Sequence, residues 1–197
     1  MSNLQGTQTL QNLMKAFAGE SQARNRYTFF ASVANKEGFK QIEAIFLETA
    51  DNEKEHAKLF YKHIVSGLNA EMAVPIEIIA TYPAGLGDSR QNLLSAAAGE
   101  HEEWTELYNK FADIAQAEGF KDIAFTFRKI SEVEREHEAR YLKLADNIAN
   151  EQVFKKDAPT FWKCRNCGYI MEGSTAPEQC PACRHPQSYF EVLCKNY

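Results

Sequence analysis

Glu53-x-x-His56 and Glu134-x-x-His137 each pair a carboxylate with an imidazole three residues on. On a helix, residues three apart are surface neighbours and point the same way. The two motifs lie 81 residues apart. Two further acids, Glu20 and Glu100, each follow a glycine and lie 80 residues apart. One Glu-x-x-His is weak evidence, because glutamate is common on helices. Two at equivalent repeat positions, each with a Gly-Glu on a companion segment, are much stronger. Mixed carboxylate and imidazole donors suit iron or manganese. The setting is apolar: Phe17, Ala18 and Ala98 surround the Gly-Glu pairs, and Phe46 and Phe127 lie two turns before the Glu-x-x-His pairs. Carboxylates on core-facing stripes repel one another and resist desolvation, and two divalent cations remove that objection. A dinuclear metal site is therefore expected in preference to a solvated charged face.

The repeat offset changes by one inside this region. Glu20 to Tyr27 is seven residues, whereas Glu100 to Tyr108 is eight. An extra residue within a helix commonly forms a π-bulge, often at a functional site. The same segment holds Glu103, which has no acidic counterpart in the first half. A bulge between Glu100 and Tyr108 is expected to turn Glu103 toward the metals. Tyr27 and Tyr108 fall on similar faces, where they either hydrogen-bond the carboxylates and supply protons and electrons or simply pack in the core. His63 and His101 lack histidine counterparts and are read as surface or packing residues.

All five cysteines lie in the last 34 residues. Cys164-x-x-Cys167 and Cys180-x-x-Cys183 are two thiolate knuckles, and four thiolates favour tetrahedral zinc or iron. The spacing does not say which. Cys194 is left as a spare thiol, and His185 is surplus to a four-thiolate site.

The elements that must position these residues follow from proline and glycine. All six prolines fall within 75–83 and 159–186, and a proline costs a helix interior ~3 kcal/mol. The proline-free stretches each break once, at Glu37-Gly38-Phe39-Lys40 and Glu118-Gly119-Phe120-Lys121. Four helices are expected at 7–36, 39–66, 89–117 and 120–150, with apolar spacing such as Leu10, Leu13, Met14 and Phe17 in support. Short breaks make antiparallel hairpins, and the long connection at about 67–88 crosses the bundle. The expected fold is mainly α: a ferritin-like four-helix bundle with one long crossover over 1–152, built as a duplicated hairpin. In such bundles a glutamate from each of two helices and a Glu-x-x-His from each of the others hold two metals. Residues 153–160 read as a linker. Residues 161–197 form a module too small for its own core, where a metal is the usual remedy.

Composition narrows the function. The chain has 197 residues, a net charge of −5 and 25% charged residues, which argues for a globular protein and against a general nucleic-acid binder. No apolar run reaches the ~18 residues of a membrane span. No secretory signal is visible, so a cytoplasmic location is expected.

Taken together, the paired Gly-Glu and Glu-x-x-His sets, Gly99-Glu100-His-Glu-Glu103, Cys-x-x-Cys-Gly-Tyr and Cys-Pro-x-Cys resemble the rubrerythrin family over nearly the whole chain. The resemblance implies a ferritin-like di-iron domain followed by a rubredoxin-like domain at 161–197. It implies a non-haem peroxidase that reduces hydrogen peroxide to water in oxidative-stress defence. It implies Glu53 and Glu134 as bridging ligands, Glu20, Glu100 and His137 as terminal ligands, and Glu103 and His56 as alternating ligands. Tyr27 and Tyr108 match the family's tyrosines beside the irons. Cys164, Cys167, Cys180 and Cys183 would hold one further iron that relays electrons. The implied partners are an upstream donor such as a rubredoxin or NAD(P)H-dependent reductase, and a second copy in a head-to-tail homodimer.

Two other functions fit parts of the sequence. A ferroxidase or iron-handling protein would use the same bundle but gives the cysteine module no purpose. A zinc-ribbon adaptor would use the module, yet residues 155–197 carry six bases against four acids before the thiolates are counted, a poor match for phosphate.

Overall fold

The computed structural model describes residues 3–69 and 71–195. Helix α1 spans Gln8–Lys36 and α2 spans Lys40–Leu68. Helix α3 (Ser89–Glu102) runs through a π-helical turn (Glu103–Leu107) into α4 (Tyr108–Ala117), and α5 covers Lys121–Ala149. These four rods form the expected four-helix bundle. A small three-stranded antiparallel sheet follows, with β1 at Lys155–Cys164, β2 at Ile170–Thr175, β3 at Phe190–Val192 and the order β2-β1-β3.

Both hairpin turns close the same way. Gly38 and Gly119 sit at φ +84 and +89, which favours a residue without Cβ. Phe39 N–H then donates back to Ala34 O, and Phe120 N–H to Ala115 O, each at 2.8 Å. The glutamate before each glycine reaches the other hairpin. Glu37 accepts from Ser89 N–H at 3.0 Å, and Glu118 accepts from Gln8 N–H at 3.0 Å and Thr9 N–H at 2.8 Å. Each turn thus caps the first helix of the opposite hairpin, where orphan N–H groups and the helix dipole favour a carboxylate.

The core is split in two. Leu10, Leu13, Phe60, Phe111 and Phe127 fill one half. Tyr27, Phe30, Phe46, Leu93 and Tyr141 fill the other. Each half draws on all four rods, and Glu20, Glu53, Glu100 and Glu134 fall in sequence between the residues of the two halves. The metal-ligand residues therefore form a polar layer inside an otherwise apolar bundle.

The connection between hairpins has no regular elements from residue 71 to 88. It is latched to α1 by Tyr82, whose hydroxyl donates to Lys15 O at 2.8 Å. The stretch 153–160 departs from the expected free linker. From Lys155 onward it is strand β1, pairing Lys155 with Thr175 and Thr160 with Gly173 around a bulge. Its mostly exposed residues and Pro159 hide the strand in the sequence, because only one of its faces meets the small core. The sheet module rests on the first hairpin turn. Phe154 stacks on Phe39 at 6.2 Å, and Lys40 Nζ lies 5.4 Å from the centre of the Tyr189 ring.

Candidate metal centres

Inside the bundle, Glu20, Glu53, Glu100 and Glu134 are each at most 1% exposed, and His56 and His137 are nearly as deep. Their donor atoms form two overlapping sets of four. Glu20, Glu53, His56 and Glu134 make one; Glu53, Glu100, Glu134 and His137 make the other; within each, all donor atoms lie within 4.8 Å. Glu53 and Glu134 belong to both sets. His56 Nδ1 lies 2.9 Å from Glu53 Oε2 and 2.9 Å from Glu134 Oε1. His137 Nδ1 lies 2.8 Å from Glu134 Oε2 and 3.2 Å from Glu53 Oε1. The i, i+3 spacing on α2 and α5 produces this: each helix offers one carboxylate and one ring on the same face.

The tyrosines cross between hairpins. Tyr27 on α1 donates to Glu100 Oε1 at 2.6 Å, and Tyr108 on α4 donates to Glu20 Oε1 at 2.5 Å. The open choice between core packing and carboxylate bonding resolves as both, since each ring is 1% exposed.

The segment between Glu100 and Tyr108 is π-helical over Glu103–Leu107, as the one-residue insertion requires. A π turn frees a backbone carbonyl. Here Trp104 O receives Asn109 Nδ2 at 2.7 Å and Ser131 Oγ at 3.3 Å. Trp104 Nε1 in turn donates to Glu138 Oε2 at 2.5 Å, and His101 Nδ1 meets Glu138 Oε1 at 2.9 Å. Ser131 and Glu138 replace alanines at the repeat-equivalent positions 50 and 57. Those two breaks in the repeat are the sequence signal for this support. Glu103 itself lies outside both four-atom sets, half-buried beside Glu100. His63 packs at the bundle end against Thr126 Oγ1 at 2.9 Å, away from the centre.

Burial is the largest influence on the acids. It pushes Glu20 and Glu100 well above the usual carboxylate range, and the charges of Glu53, Glu134 and Glu103 add to it. Glu103 is raised for the same reasons, with Glu134 the foremost neighbour. Burial also opposes charge on the imidazoles, but hydrogen bonds to Glu134 and Glu53 outweigh it and lift His56 to about 10 and His137 to about 9. Glu53 is likewise penalised by burial, yet His137 and His56 hold it down at about 2.

The residues fit a pair of divalent cations. Glu20 Oε2 is buried with no hydrogen-bond partner, and Glu53 Oε1, both Glu134 oxygens and His137 Nδ1 have only one another and His56 as close neighbours, with more buried lone pairs than those contacts fill. So many convergent, unsatisfied donor atoms would be costly without an ion to bind. The shared position of Glu53 and Glu134 in both sets is what a bridged pair of ions needs.

The second cluster lies in the sheet module. Cys164, Cys167, Cys180 and Cys183 bring four sulfurs within 4.8 Å, and none is in a disulfide. The Cys164–Cys183 and Cys167–Cys180 sulfurs are each 3.7 Å apart. A tetrahedron with metal–sulfur bonds of ~2.3 Å has edges of ~3.8 Å. Gly168 and Arg184 follow the two knuckles at φ +77 and +64, turning the chain so that both pairs face inward. A backbone hydrogen bond from His185 draws Cys183 down to about 6, favouring a thiolate there. The His185 ring points to Cys183 O and Tyr189, outside the sulfur set, and Cys194 is exposed.

Comparison with known proteins places this geometry. The family model for rubrerythrin matches residues 11–145, and that for the rubredoxin-like domain of rubrerythrin matches residues 162–191. The chain is 59% identical to rubrerythrin-1 of Clostridium acetobutylicum and 50% identical to rubrerythrin of Nitratidesulfovibrio vulgaris, covering 100% of both chains in each pair. The structure of nigerythrin in a mixed-valent state superposes with a TM-score of 0.63 at 31% identity, covering 98% of this chain and 92% of that one. A bacterioferritin from Desulfovibrio desulfuricans superposes at 0.64 with 23% identity, over 73% of this chain and 81% of its own, which is a likeness of fold alone. The cofactors are those of a di-iron carboxylate site in the bundle and a four-cysteine iron site in the module.

Proposed function

This chain belongs to the rubrerythrin family, a family of oxidative-stress defence, and on that premise we propose that it reduces hydrogen peroxide to two water molecules. The observation that carries the reading is the two four-atom sets sharing Glu53 and Glu134, in a chain that also carries four convergent thiols. Iron held by the carboxylates would supply two electrons to peroxide, and iron held by the four cysteines would relay electrons to it.

In this reading Glu53 and Glu134, common to both donor sets, would be shared between the two ions, Glu20 and His56 would help hold one, and Glu100 and His137 the other. Glu103, beside Glu100, would offer a carboxylate in place of the His56 imidazole: a neutral imidazole would suit the lower charge of the centre and a carboxylate the higher. The π turn holds Glu103 within reach. The reaction consumes two protons along with two electrons. Tyr108, bonded to Glu20, and Tyr27, bonded to Glu100, each keep a proton on a phenol whose ionisation burial strongly opposes. They orient the Gly-Glu carboxylates and are placed to pass protons, with Glu103 as the third carrier. The apolar half-cores on both sides exclude water from the layer.

The sheet module sits at the Phe39–Lys40 end of α2. Lys40 to Glu53 is thirteen residues of continuous helix, or ~20 Å. That span favours electron delivery from a second copy arranged head to tail over delivery within one chain. A rubredoxin or an NAD(P)H-dependent reductase is the fitting upstream donor. No helix among the described residues is long and apolar enough to cross a membrane.

Rapid mixing tests the reading. The iron-loaded, anaerobically reduced protein is mixed with one equivalent of hydrogen peroxide or with dioxygen, and the iron–thiolate band is followed. Faster recovery of the band with peroxide is the expected result. Faster recovery with dioxygen, or no such band at all, would overturn it.

A further inference from the structure

Most carboxylates of the centre are sealed in the bundle. Glu103 is half-buried and borders a cavity of about 320 Å³ beneath the crossover. The cavity lies between α1, the π turn and residues Ile79–Pro83.

Its roof is Tyr82. The hydroxyl is tethered to Lys15 O, and the ring lies across α1 with its outer side open to solvent. Its inner edge and Glu103 flank the same bare glycine: a Cβ on Gly19 would lie 3.6 Å from Tyr82 Cε1 and 3.8 Å from Glu103 Oε1. A wall of the cavity carries Arg26. Its Nε donates to Gln22 Oε1 at 2.6 Å, and its guanidinium lies 5.6 Å from the centre of the Tyr27 ring. Its Nη1 is buried and has no hydrogen-bond partner. A buried cationic donor without an acceptor is costly, and a small turn of the guanidinium toward the cavity would let a visiting molecule supply one. Liquid water occupies ~30 Å³ per molecule, so the space takes about ten molecules of that size and any selection by size must come from its entrance. Peroxide is barely larger, and each of its oxygens accepts a hydrogen bond.

We propose that this cavity is the antechamber through which hydrogen peroxide reaches the Glu103 face of the centre, with Tyr82 as its size gate and Arg26 Nη1 as the donor that receives the entering oxygen. The proposal rests on the peroxidase reading above. It assigns no chemical step to either residue: Tyr82 limits what enters, and Arg26 holds it.

The test compares full-length, iron-loaded wild type with Tyr82→Ala, Tyr82→Phe and Arg26→Gln, each checked for native helix content by circular dichroism. The readout is kcat/KM for hydrogen peroxide against that for cumene hydroperoxide. Tyr82→Ala should shift this ratio toward the bulky peroxide by about tenfold or more. Tyr82→Phe keeps the ring, so its ratio should stay within about twofold of wild type. Arg26→Gln should raise KM for hydrogen peroxide several-fold with little change in kcat. A second measurement needs no turnover: azide binding to the cobalt(II)-loaded protein, followed by its visible spectrum. Azide should associate at least about fivefold faster with Tyr82→Ala and bind at least about fivefold more weakly to Arg26→Gln. An unchanged peroxide ratio in folded Tyr82→Ala, or azide binding unmoved in both variants, would overturn the proposal. If wild type reduces no peroxide, the peroxidase reading falls, and the azide measurement still decides the gate.

Discussion

Binding metal at the carboxylate centre must expel protons, and the structure sets how many. Without metal, His56 holds its proton up to about pH 10 and His137 up to about pH 9, because Glu134 and Glu53 bond to the charged rings. At pH 7 both imidazoles are therefore cationic. A ligating imidazole must be neutral, so two protons leave from these residues alone. Glu20, Glu100 and Glu103, raised well above the ordinary carboxylate range by burial and then by neighbouring charges, Glu53 and Glu134 among them in every case, add to that number. At least two protons should be released per pair of ions at pH 7. Two linked protons change the binding free energy by about 2.7 kcal/mol per pH unit, or a hundredfold in apparent affinity. The assay is calorimetric titration of cobalt(II) into protein whose cysteine site is already filled with zinc. Running it in two buffers of different ionisation enthalpy gives the proton count. His56→Asn should lower the count by about one. A release of one proton or fewer at pH 7, or a flat affinity between pH 6 and 8, would refute the reasoning. The same groups set the stability of the metal-free chain. The histidines have folded pKa values above the unfolded ~6.5, so their contribution is full below pH 6.5 and is lost as pH rises through 9 to 10. The raised glutamates act in the same direction, because ionising them in the buried layer is unfavourable. Urea midpoints of metal-free protein should therefore fall steadily from pH 6.5 to 10.

Three further outcomes are expected. Deleting Glu106, an exposed residue of the π turn, makes the Glu100-to-tyrosine spacing equal to that of Glu20 and Tyr27. The bundle should fold with its melting temperature little changed while peroxide turnover drops at least about tenfold; full turnover would show that the bulge has no role in placing Glu103. Glu118→Ala removes acceptors for Gln8 N–H, Thr9 N–H and the Thr9 hydroxyl, and should cost about 1 kcal/mol in urea unfolding. Glu37→Ala, at a terminus already closed by the Asp88–Gln91 capping box, should cost less. Slight burial raises Glu118, but the Thr9 hydroxyl and the two N–H groups hold it below its ordinary value, so its contribution should be full above the ordinary glutamate pKa of about 4.3 and be lost progressively as pH falls below it. Finally, Cys167→Ser should abolish the iron–thiolate absorption, and Cys194→Ser should leave it intact.

Much of this molecule is legible one residue at a time. Glycines at 38 and 119 end helices because they adopt a left-handed backbone, and prolines mark where helices cannot run. Glu-x-x-His shows as a shared face because i, i+3 contacts are local. The one-residue insertion before Tyr108 announces the π turn, since a helix has few other ways to absorb it. The cysteine knuckles declare a metal for the same local reason. What the sequence did not yield depends on contacts between distant segments. That Tyr27 bonds Glu100, and Tyr108 bonds Glu20, follows only from how two hairpins face each other. So does the reciprocal capping by Glu37 and Glu118, which links residues 52 to 110 positions apart. Strand β1 begins inside an apparent linker because its partners are set by the sheet, not by its own polar residues. Tyr82 sits over Gly19 only because the crossover folds back across α1. Local periodicity fixes which side chains share a face, whereas the packing of the hairpins decides which faces meet and what lies between them.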